Sequence, residues 1–505
     1  MPAERMTNAM TLEELLMGIV TAPPLPVSDI TTDSRRVRAG SLFMACPGLA
    51  SHGLDYVADA AARGAIAVAY DSTACVAPLP ASGLPAVPVP FLCDRLGALA
   101  NRFFERPSES VGVIGVTGTN GKSTVAWLAA QCLTHLGRRC AYGGTLGYGL
   151  GGDLMRDDDL TSPGVIETHR RLAAFRDAGA LAAAIEVSSH ALDQQRVRGV
   201  RFEAAVFTNL SRDHLDYHGD MAAYGAAKAR LFEDYGARHR IINVDTAFGA
   251  DLARRCGANV VVVTTNPDVA WQGARHVLVV PRGARAGSTP VAVRSNWGEV
   301  EFELPLVGAF NVANAACVLG LLLAQGTTLR AAADAFAAVT APPGRMQRVP
   351  AAAGPAVYVD YAHTPDALAA ALAALRPHVS GSLWCVFGCG GGRDRGKRPE
   401  MGRIAAASAD RIVVTSDNPR SEAPRQIIED ILAGLPGAGA ADPRVAVFED
   451  RASAIAHAIA TAASDDAVLI AGKGHEDYQL VDGRRLPFSD VTVAADALAA
   501  YGSRP

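Results

Sequence analysis

Short apolar runs alternate with helical stretches through the middle of the chain. Residues 111–114 are apolar, and residues 125–133 are apolar and alanine-rich without glycine or proline, which predicts a strand followed by a helix. Three further apolar runs have the length and composition of buried strands: residues 180–186, 204–210 and 240–244. Strands that alternate with helices predict a doubly wound, mostly parallel α/β sheet, which binds ligands at the carboxyl ends of its strands.

Similar patterns before and after this stretch predict two more α/β domains. In the N-terminal part we predict a capped helix from residue 11, strands at residues 40–45 and 66–69, a helix at 58–65 that ends at a glycine, and a proline-rich surface loop at 78–90. In the C-terminal part we predict Rossmann-like strands at residues 356–359, 383–387, 411–415 and 467–471. The chain is therefore expected to form three domains, at residues 1–107, 108–342 and 343–505, with a hinge at residues 341–344.

A glycine-rich turn joins the first central strand to its helix at residues 115–124. Glycines allow backbone N–H groups to close on an anion, and the following helix N-terminus adds partial positive charge. We predict that ATP phosphates bind to this turn, through Gly118, Thr119, Asn120, Gly121, Lys122, Ser123 and Thr124. Lys122 is suited to reach the terminal phosphates, and Ser123 to bind Mg²⁺. The usual phosphate-loop pattern has glycine where this chain has Val116.

Composition narrows the class of protein. The chain has 505 residues, 49% hydrophobic and 19% charged, with a net charge of −4 and no long basic run, so we expect no nucleic-acid partner. Its nine cysteines form no CxxC pair, which favours a reducing compartment. No apolar run approaches 18 residues. We expect a cytoplasmic enzyme that is a monomer and does not bind membranes, and we expect the acidic residues 157–159 to form a solvated loop.

Candidate metal ligands and catalytic groups follow the central strands. Glu186 ends a predicted strand and His190 follows four residues later, a pair that suits Mg²⁺ beside a phosphate loop, although a strand-end glutamate also commonly forms a surface salt bridge. Residues 208–219 are unusually rich in polar groups, and Arg212 and His214 are candidates for phosphate or transition-state contacts. Lys228 shares a helix face with Tyr224 and Phe232, although a lysine that extends its ammonium to solvent would give the same pattern.

The C-terminal strands are followed by charged or glycine-bearing loops. These are residues 360–366, 388–399, 417–420 and 472–476. The second of them combines five glycines with four basic residues, Arg393, Arg395, Lys397 and Arg398. Charged groups at four neighbouring strand ends predict a zwitterionic or polyanionic small ligand.

Together these motifs closely resemble the Mur ligases, ATP-dependent amide-forming enzymes of peptidoglycan precursor synthesis, over nearly the whole chain. Residues 117–124 resemble the family's own form of the phosphate loop, which accounts for Val116. Residues 186–190 and 208–219 resemble its central motifs, and Asn311 resembles its adenine-side asparagine. Residues 417–420 and 472–476 resemble the branch that adds the third residue of the peptide.

The resemblance assigns roles to specific residues. It implies Mg²⁺ ligation by Ser123, Glu186, His190 and Lys228, the last as a carbamate, and catalytic roles for Lys122, Lys228, His214 and Arg212. It implies that the UDP-linked substrate is bound by Ser34, Thr161, Ser162, Ser188, Gln194 and Arg196. It implies that meso-diaminopimelate is bound by Arg393, Asp417, Asn418, Pro419, Arg420, Gly472 and Glu476. Asn418 and Arg420 are the pair that, in the family, favours diaminopimelate over lysine.

The activity implied is ATP-dependent addition of meso-diaminopimelate to the D-Glu of UDP-MurNAc-L-Ala-D-Glu through an acyl phosphate. Three sites on three domains also imply that domain closure assembles them. Two alternatives are a different amide ligase on the same scaffold, adding lysine or resembling folylpolyglutamate synthase, and a nucleotide-binding scaffold without turnover. The presence of Lys122, Glu186, His190 and Lys228 argues against the second.

Overall fold

The computed structural model describes residues 10–48, 51–74, 83–156, 160–257, 259–269, 275–435 and 442–502. The acidic residues 157–159 lie outside these ranges, so their predicted loop stays a prediction. The chain divides into two compact units, which are treated separately below. The first comprises residues 1–118, 138–205 and 212–238, and the second comprises residues 119–137, 206–211 and 239–505. The three-domain boundaries given above stay predictions.

A four-stranded parallel sheet forms the N-terminal part of the first unit. Its strands run in the order β1 (Asp29–Thr31), β2 (Ser41–Ala45), β3 (Ala67–Asp71) and β4 (Ala86–Val89). The helices here are α1 (Leu12–Leu16), α2 (Val57–Ala62), α3 (Leu92–Phe103) and α4 (Pro107–Ser110). The predicted cap is confirmed, because Thr11 and Glu14 form a reciprocal capping box at the start of α1.

The loop predicted at residues 78–90 is wrong at its C-terminal end. Residues 83–85 precede β4, which pairs in parallel with β3, while residues 78–82 lie outside the described part of the chain. The prolines suggested a loop because proline cannot donate to a strand ladder. Since β4 is the last strand of this sheet, Pro88 needs no ladder bond on its outer edge.

The remainder of the first unit holds the strands that lead to the candidate site. Strand β5 (Gly112–Thr117) pairs in parallel with β9 (Ala182–Glu186), which pairs in parallel with β6 (Cys140–Gly144). Strands β7 (Gly147–Leu150) and β8 (Asp153–Met155) continue from β6 in antiparallel order. The helices are α6 (Val165–Asp177), α7 (Ser189–Asp193), α8 (Leu215–His218) and α9 (Met221–Glu233). The strands predicted at residues 111–114 and 180–186 are confirmed.

The second unit contains helix α5 (Lys122–His135) and a run of five strands. Strand β10 (Phe202–Phe207) crosses the division between the units, with its last two residues in the second. Strands β11 (His239–Asn243), β12 (Val260–Thr264) and β13 (Arg275–Pro281) are parallel, and β14 (Thr289–Ser295) and β15 (Gly298–Leu304) are antiparallel. The helices are α10 (Ala247–Cys256), α11 (Ala309–Ala324) and α12 (Leu329–Asp334). The hairpin of β14 and β15 was not predicted.

A six-stranded sheet forms the C-terminal part of the second unit, in the order β16 (Gln347–Val349), β17 (Ala356–Asp360), β21 (Ala467–Ala471), β18 (Leu383–Phe387), β19 (Arg411–Val414) and β20 (Val445–Val447). The helices are α13 (Pro365–Leu375), α14 (Lys397–Ser408), α15 (Pro424–Leu432), α16 (Arg451–Thr461) and α17 (Asp490–Gly502). A hairpin follows β21, formed by β22 (Tyr478–Val481) and β23 (Arg484–Pro487). All four strands predicted here are present, and the α/β fold class is confirmed.

Within the described ranges, no helix is long and apolar enough to cross a membrane.

A buried ion pair joins the starts of α16 and α17. Arg451 Nε and Nη2 donate to the Asp490 carboxylate at 2.7 and 2.8 Å, and both side chains are fully buried. Arg451 also donates to Ser416 O, two residues after β19, and to Ala471 O at the end of β21. The pair therefore fixes the two strand ends that precede residues 417–420 and 472–476.

Substitution of Asp490 by alanine is expected to destabilise this part of the chain by about 3–5 kcal/mol, because the Arg451 charge would be left buried without its partner. The change in urea midpoint measures the effect. Asp477→Ala is a suitable control because its pair with Arg485 is exposed on both sides, and it is expected to cost about 1 kcal/mol or less. Equal effects of the two substitutions would contradict this account.

Candidate active site

The glycine-rich turn at residues 115–124 forms a loop between β5 and α5. Gly121 caps α5 with φ of +85°, and no side chain caps the first turn. Gly118 also has positive φ, at +149°. The left-handed conformation at Gly121 is readily available only to glycine. Lys122 is the first helical residue, and its Nζ donates to Thr119 O at 2.8 Å, which keeps the ammonium against the loop. This is the geometry of a phosphate-binding loop.

The polar segment after β10 supports this loop. Thr119 N donates to Asn209 O at 2.9 Å, and Asn120 N donates to Asn209 Oδ1 at 3.0 Å. Thr208 Oγ1 donates in return to Asn120 O at 2.6 Å, and Ser211 N donates to Thr119 Oγ1 at 3.0 Å. Part of the polar density at residues 208–219 therefore serves to hold the loop. The sequence analysis singled out only Arg212 and His214 of this segment and did not predict this supporting role.

Helix α11 closes on the loop through two buried asparagines. A Cβ placed on Gly121 would overlap Asn314 Oδ1. Asn314 Nδ2 donates to Asn311 Oδ1 at 3.2 Å, and Asn311 Nδ2 donates to Val307 O at 2.9 Å, so the Asn314 amide is held in place. Asn311 is 2% exposed, and its amide faces these protein partners. Its predicted contact with adenine stays a prediction, and Asn314 is a loop-supporting residue that the sequence did not single out.

Gly121→Ala is expected to weaken ATP binding by about 10- to 100-fold, corresponding to a cost of about 1–3 kcal/mol for strained backbone at a ligand site. The added methyl group meets Asn314 and the residue loses easy access to positive φ. Isothermal titration with a non-hydrolysable ATP analogue measures the effect.

Gly137→Ala provides the matched control. Gly137 follows the other end of α5, has φ of +82°, and has open space where a Cβ would lie. It therefore carries similar backbone strain without the clash. Equal losses of nucleotide affinity in the two variants would argue against a specific role for the close contact between Gly121 and Asn314.

Glu186 at the end of β9 is 3% exposed and is held by residues of the turn after β6. Tyr142 OH donates to Glu186 Oε1 at 2.6 Å and Thr145 N donates to the same oxygen at 2.9 Å. Thr145 Oγ1 lies 3.3 Å from Glu186 Oε2. A buried carboxylate with three donors has a fixed orientation. The structure thus excludes the surface salt bridge that was the alternative for this residue.

His190 lies in a group of rings that we call the histidine cluster: His190, His214, Tyr217, His218 and Tyr224. The His190 ring centroid is 4.2 Å from Tyr217, 4.8 Å from His214 and 5.4 Å from His218. Burial lowers the pKa of His190, and the neighbouring His214 and His218 lower it further. A lowered pKa keeps the imidazole neutral, which is the form that binds metals. His214 is exposed with φ of +51°, and Arg212 is also exposed.

Lys228 is 1% exposed on α9. Its Nζ donates to Gly118 O at 2.8 Å and lies 4.3 Å from the centroid of the Tyr224 ring. The ammonium is therefore directed at the phosphate loop, and the alternative of a lysine that reaches solvent is wrong. Tyr224 in turn lies 5.2 Å from His218, so Lys228 borders the histidine cluster.

The donor chemistry around Lys228 and His190 suits a metal only if another ligand is added. Among the described residues, no group of three or more His, Cys, Asp or Glu side chains is placed to hold a metal ion. Glu186 offers a buried carboxylate and His190 a neutral imidazole, while Lys228 is a cation. A carbamate on Lys228 would convert that cation into an oxygen donor, the ligand type that Mg²⁺ prefers.

Five of the six residues predicted for the UDP-linked substrate lie together. Ser162 Oγ donates to Glu186 O and accepts from Ser188 N, and Ser188 Oγ caps α7. Arg196 donates to Ser162 O at 2.8 Å and to Gln194 Oε1. Thr161 Oγ1 lies 3.1 Å from Thr145 Oγ1. The sixth, Ser34, begins a 3-10 helix in the four-stranded sheet region.

The loops after β19 and β21 meet in the C-terminal sheet. Asn418 Nδ2 donates to Glu476 Oε2 at 2.8 Å, which joins two of the residues predicted for diaminopimelate. Burial raises the pKa of Asp417, only partly opposed by Arg451 and Lys473. Gly472 has φ of +122°, and a Cβ on it would overlap Asp417 Oδ2, so glycine is required at that position.

Arg420 connects this pair of loops to the glycine-rich loop after β18. Its Nη1 donates to Gly391 O at 2.6 Å, and its backbone N donates to Leu480 O at 2.8 Å in the β22–β23 hairpin. Arg420 has positive φ, +56°, directly after the buried Pro419. Arg393 is exposed on the same glycine-rich loop. The hairpin therefore contacts this group of loops, and the sequence analysis did not predict it.

The fold and the loop geometry define a phosphate-loop α/β protein, and the family follows from comparison. The family model described as "Mur ligase middle domain" matches residues 116–322. The models described as "Mur ligase, glutamate ligase domain" and "Mur ligase family, catalytic domain" match residues 344–474 and 26–104. The chain belongs to the Mur ligase family.

Individual relatives agree with this assignment. The UDP-N-acetylmuramoyl-L-alanyl-D-glutamate--2,6-diaminopimelate ligase of Pseudomonas aeruginosa is 47% identical over 479 residues, covering 94% of this chain and 96% of the relative. A solved structure of an enzyme with the same name superposes with a TM-score of 0.73 at 33% identity, covering 98% of this chain and all of the other. The MurF ligase of Thermotoga maritima in complex with ADP has the same fold, with a TM-score of 0.60 at 17% identity, covering 95% of this chain and 98% of that one.

Proposed function

We propose that this chain is an ATP-dependent ligase that joins meso-diaminopimelate to the D-Glu of UDP-MurNAc-L-Ala-D-Glu, a step of peptidoglycan precursor synthesis. The observation that carries the proposal is the full-length similarity to relatives of that name, at 47% identity over 94% of the chain. The pocket supports it, because Arg420, Asn418 and Glu476 offer cationic, amide and anionic groups to a zwitterionic amino acid.

The reaction would proceed in two transfers. The phosphate loop binds ATP, and Lys122 stabilises the charge that develops on the γ-phosphoryl group as it passes to the D-Glu side-chain carboxylate. The product is an acyl phosphate, with ADP as the leaving group. The amine of the incoming amino acid then attacks the acyl carbon, loses a proton, and expels inorganic phosphate to leave an amide.

Mg²⁺ is the cation that this chemistry uses with ATP, and Ser123, Glu186, His190 and a carbamate on Lys228 would hold it. Its charge would neutralise phosphate oxygens. The protein supplies the rest: Tyr142 and Thr145 fix Glu186, and burial keeps His190 neutral. Carbamylation of Lys228 adds CO₂ to its neutral amine with loss of one proton. His214 borders this region and Arg212 precedes it on the same segment, and we propose both for phosphate or transition-state contacts.

Substrate recognition is divided between two sets of residues. Ser34, Thr161, Ser162, Ser188, Gln194 and Arg196 are proposed to bind the UDP-linked substrate. Arg393, Asp417, Asn418, Pro419, Arg420, Gly472 and Glu476 are proposed to bind the amino acid. The cytoplasmic location and monomeric state stay predictions, and light scattering in solution tests the second.

Release of inorganic phosphate tests the reaction class. We expect release only when ATP, Mg²⁺, UDP-MurNAc-L-Ala-D-Glu and meso-diaminopimelate are all present, with omission of any one reducing it to background. No release in the complete mixture would favour the non-catalytic scaffold. Release with a folate and glutamate in place of the UDP-linked substrate would favour the folylpolyglutamate alternative.

A further inference from the structure

Lysine is rare in this chain. Of its 47 lysine and arginine residues, only four are lysines: Lys122, Lys228, Lys397 and Lys473. Arginine therefore serves at almost every position where a cation forms an ion pair or covers the surface. A lysine ammonium differs from a guanidinium because it is a compact point charge with three donors on a narrow stem. Lys122 and Lys228 have proposed roles, whereas Lys473 has none so far.

Lys473 is a fully buried cation between the two loops of the amino-acid pocket. Its Nζ donates to Asn418 Oδ1 at 3.1 Å and to Glu476 Oε2 at 3.2 Å, and lies 4.0 Å from Asp417 Oδ1. Desolvation of an ammonium is costly unless anions and acceptors surround it. All three of these partners are residues proposed above to bind diaminopimelate.

The contact with Lys473 determines which way the Asn418 amide faces. Asn418 Oδ1 accepts from Lys473 Nζ and from Leu480 N at 2.9 Å, so both of its lone pairs are used. A flipped amide would place N–H groups against two donors. Asn418 Nδ2 therefore points the other way, with one N–H given to Glu476 Oε2. The second N–H gives the pocket a hydrogen-bond donor, which suits a carboxylate.

Lys473 also fixes the Glu476 carboxylate. Glu476 Oε2 accepts from both Lys473 Nζ and Asn418 Nδ2. The orientation of the group is thereby set, and Oε1 is the oxygen that can accept from an ammonium. One buried lysine thus holds a donor and an acceptor in a fixed relation, which matches the two charges of a zwitterion.

We propose that Lys473 is a positioning residue of the amino-acid site, which acts through Asn418 and Glu476 and does not touch the amino acid itself. The inference rests on the proposed function of this pocket. It assigns a role in binding the amino acid and predicts little effect on the sites for ATP and the UDP-linked substrate.

Lys473→Met, which keeps an unbranched stem of similar length and removes the ammonium, tests this role. We expect the KM for meso-diaminopimelate to rise by about 30-fold or more, while the KM values for ATP and UDP-MurNAc-L-Ala-D-Glu change by less than about threefold. Arg411→Met is the matched control, because it removes one exposed positive charge at the opposite end of β19. It should leave all three KM values unchanged.

A double variant separates positioning from simple neutralisation of Glu476. If Lys473→Met alone fails to fold, the double variant also removes the Glu476 charge that would otherwise lose its ammonium partner. We compare Glu476→Gln with Lys473→Met/Glu476→Gln. If Lys473 holds Asn418, adding Lys473→Met should raise the KM for meso-diaminopimelate by a further tenfold or so. An unchanged KM would overturn the proposal.

Equal changes in all three KM values for Lys473→Met, with a lowered melting temperature, would also overturn it, because they indicate a general structural role. The wild-type protein is assayed in parallel. If it does not add meso-diaminopimelate, the proposed function itself fails. That result is distinct from an active wild-type enzyme whose KM for meso-diaminopimelate is unchanged by Lys473→Met.

Discussion

Lys228→Ala is expected to lower the rate of phosphate release by about 10³-fold or more, because loss of a preorganised charge at a phosphoryl-transfer site has effects of this order. The side chain is 1% exposed, donates to Gly118 O of the phosphate loop and borders the histidine cluster. Alanine removes both the loop contact and the carbamate proposed as an oxygen donor. Steady-state phosphate release with saturating substrates measures the loss.

Chemical rescue distinguishes a carbamate from an unmodified ammonium. A small carboxylate such as formate can enter the space left by Lys228→Ala and supply the missing anion. We therefore expect formate to raise the rate of phosphate release by the Lys228→Ala variant about tenfold, and methylammonium to leave that rate unchanged. Arg230→Ala, on the same helix and paired with Asp234 at the surface, is the control and should retain wild-type rate. Rescue by the amine alone would contradict the carbamate.

Arg420→Ala is expected to reduce kcat/KM for meso-diaminopimelate by about 10²- to 10³-fold, since a site that binds a substrate carboxylate loses a charge-assisted bidentate contact. Activity with L-lysine, which lacks the distal carboxylate, should fall much less. The ratio of kcat/KM for meso-diaminopimelate to kcat/KM for L-lysine should therefore decrease. Arg420 Nη1 donates to Gly391 O, which leaves most of the guanidinium donors for a ligand. Competition between the two amino acids, read by product mass, measures the preference.

The control for Arg420 is Arg425→Ala. Arg425 is exposed on α15 and pairs with Glu429 one turn away, so its loss should leave the preference unchanged. A parallel fall in activity with both amino acids in Arg420→Ala would mean that Arg420 only supports the loop through Gly391 and does not select the substrate.

The strands that could be predicted from sequence are those buried on both faces. Strands β9, β12 and β18 are buried along their whole length and appear as continuous apolar runs, although β12 was not singled out. Strand β15 is different, because Glu299, Glu301 and Glu303 alternate with less polar residues and pair with arginines across the sheet or turn. A strand with one solvated face has no apolar run, so this hairpin was missed.

Some parts of the candidate site could likewise be predicted from the sequence, and other parts could not. The phosphate loop could be predicted because its residues are consecutive and their chemistry depends on local backbone geometry. Asn209 supports Asn120, Asn314 lies against Gly121, and Tyr142 supports Glu186. These three residues come from distant segments, and no local sequence pattern indicates their roles. Lys473 stood inside a recognised motif, but its role depends on its buried contact with Asn418, 55 residues away.

Product formation with a choice of amino acids tests the central claim most directly. The wild-type protein is given ATP, Mg²⁺, UDP-MurNAc-L-Ala-D-Glu and equal concentrations of meso-diaminopimelate and L-lysine, and the product is identified by mass. We predict a UDP-linked tripeptide that contains diaminopimelate, favoured by at least about 10²-fold, together with stoichiometric ADP and phosphate. Equal incorporation of lysine, or no tripeptide at all, would contradict the account.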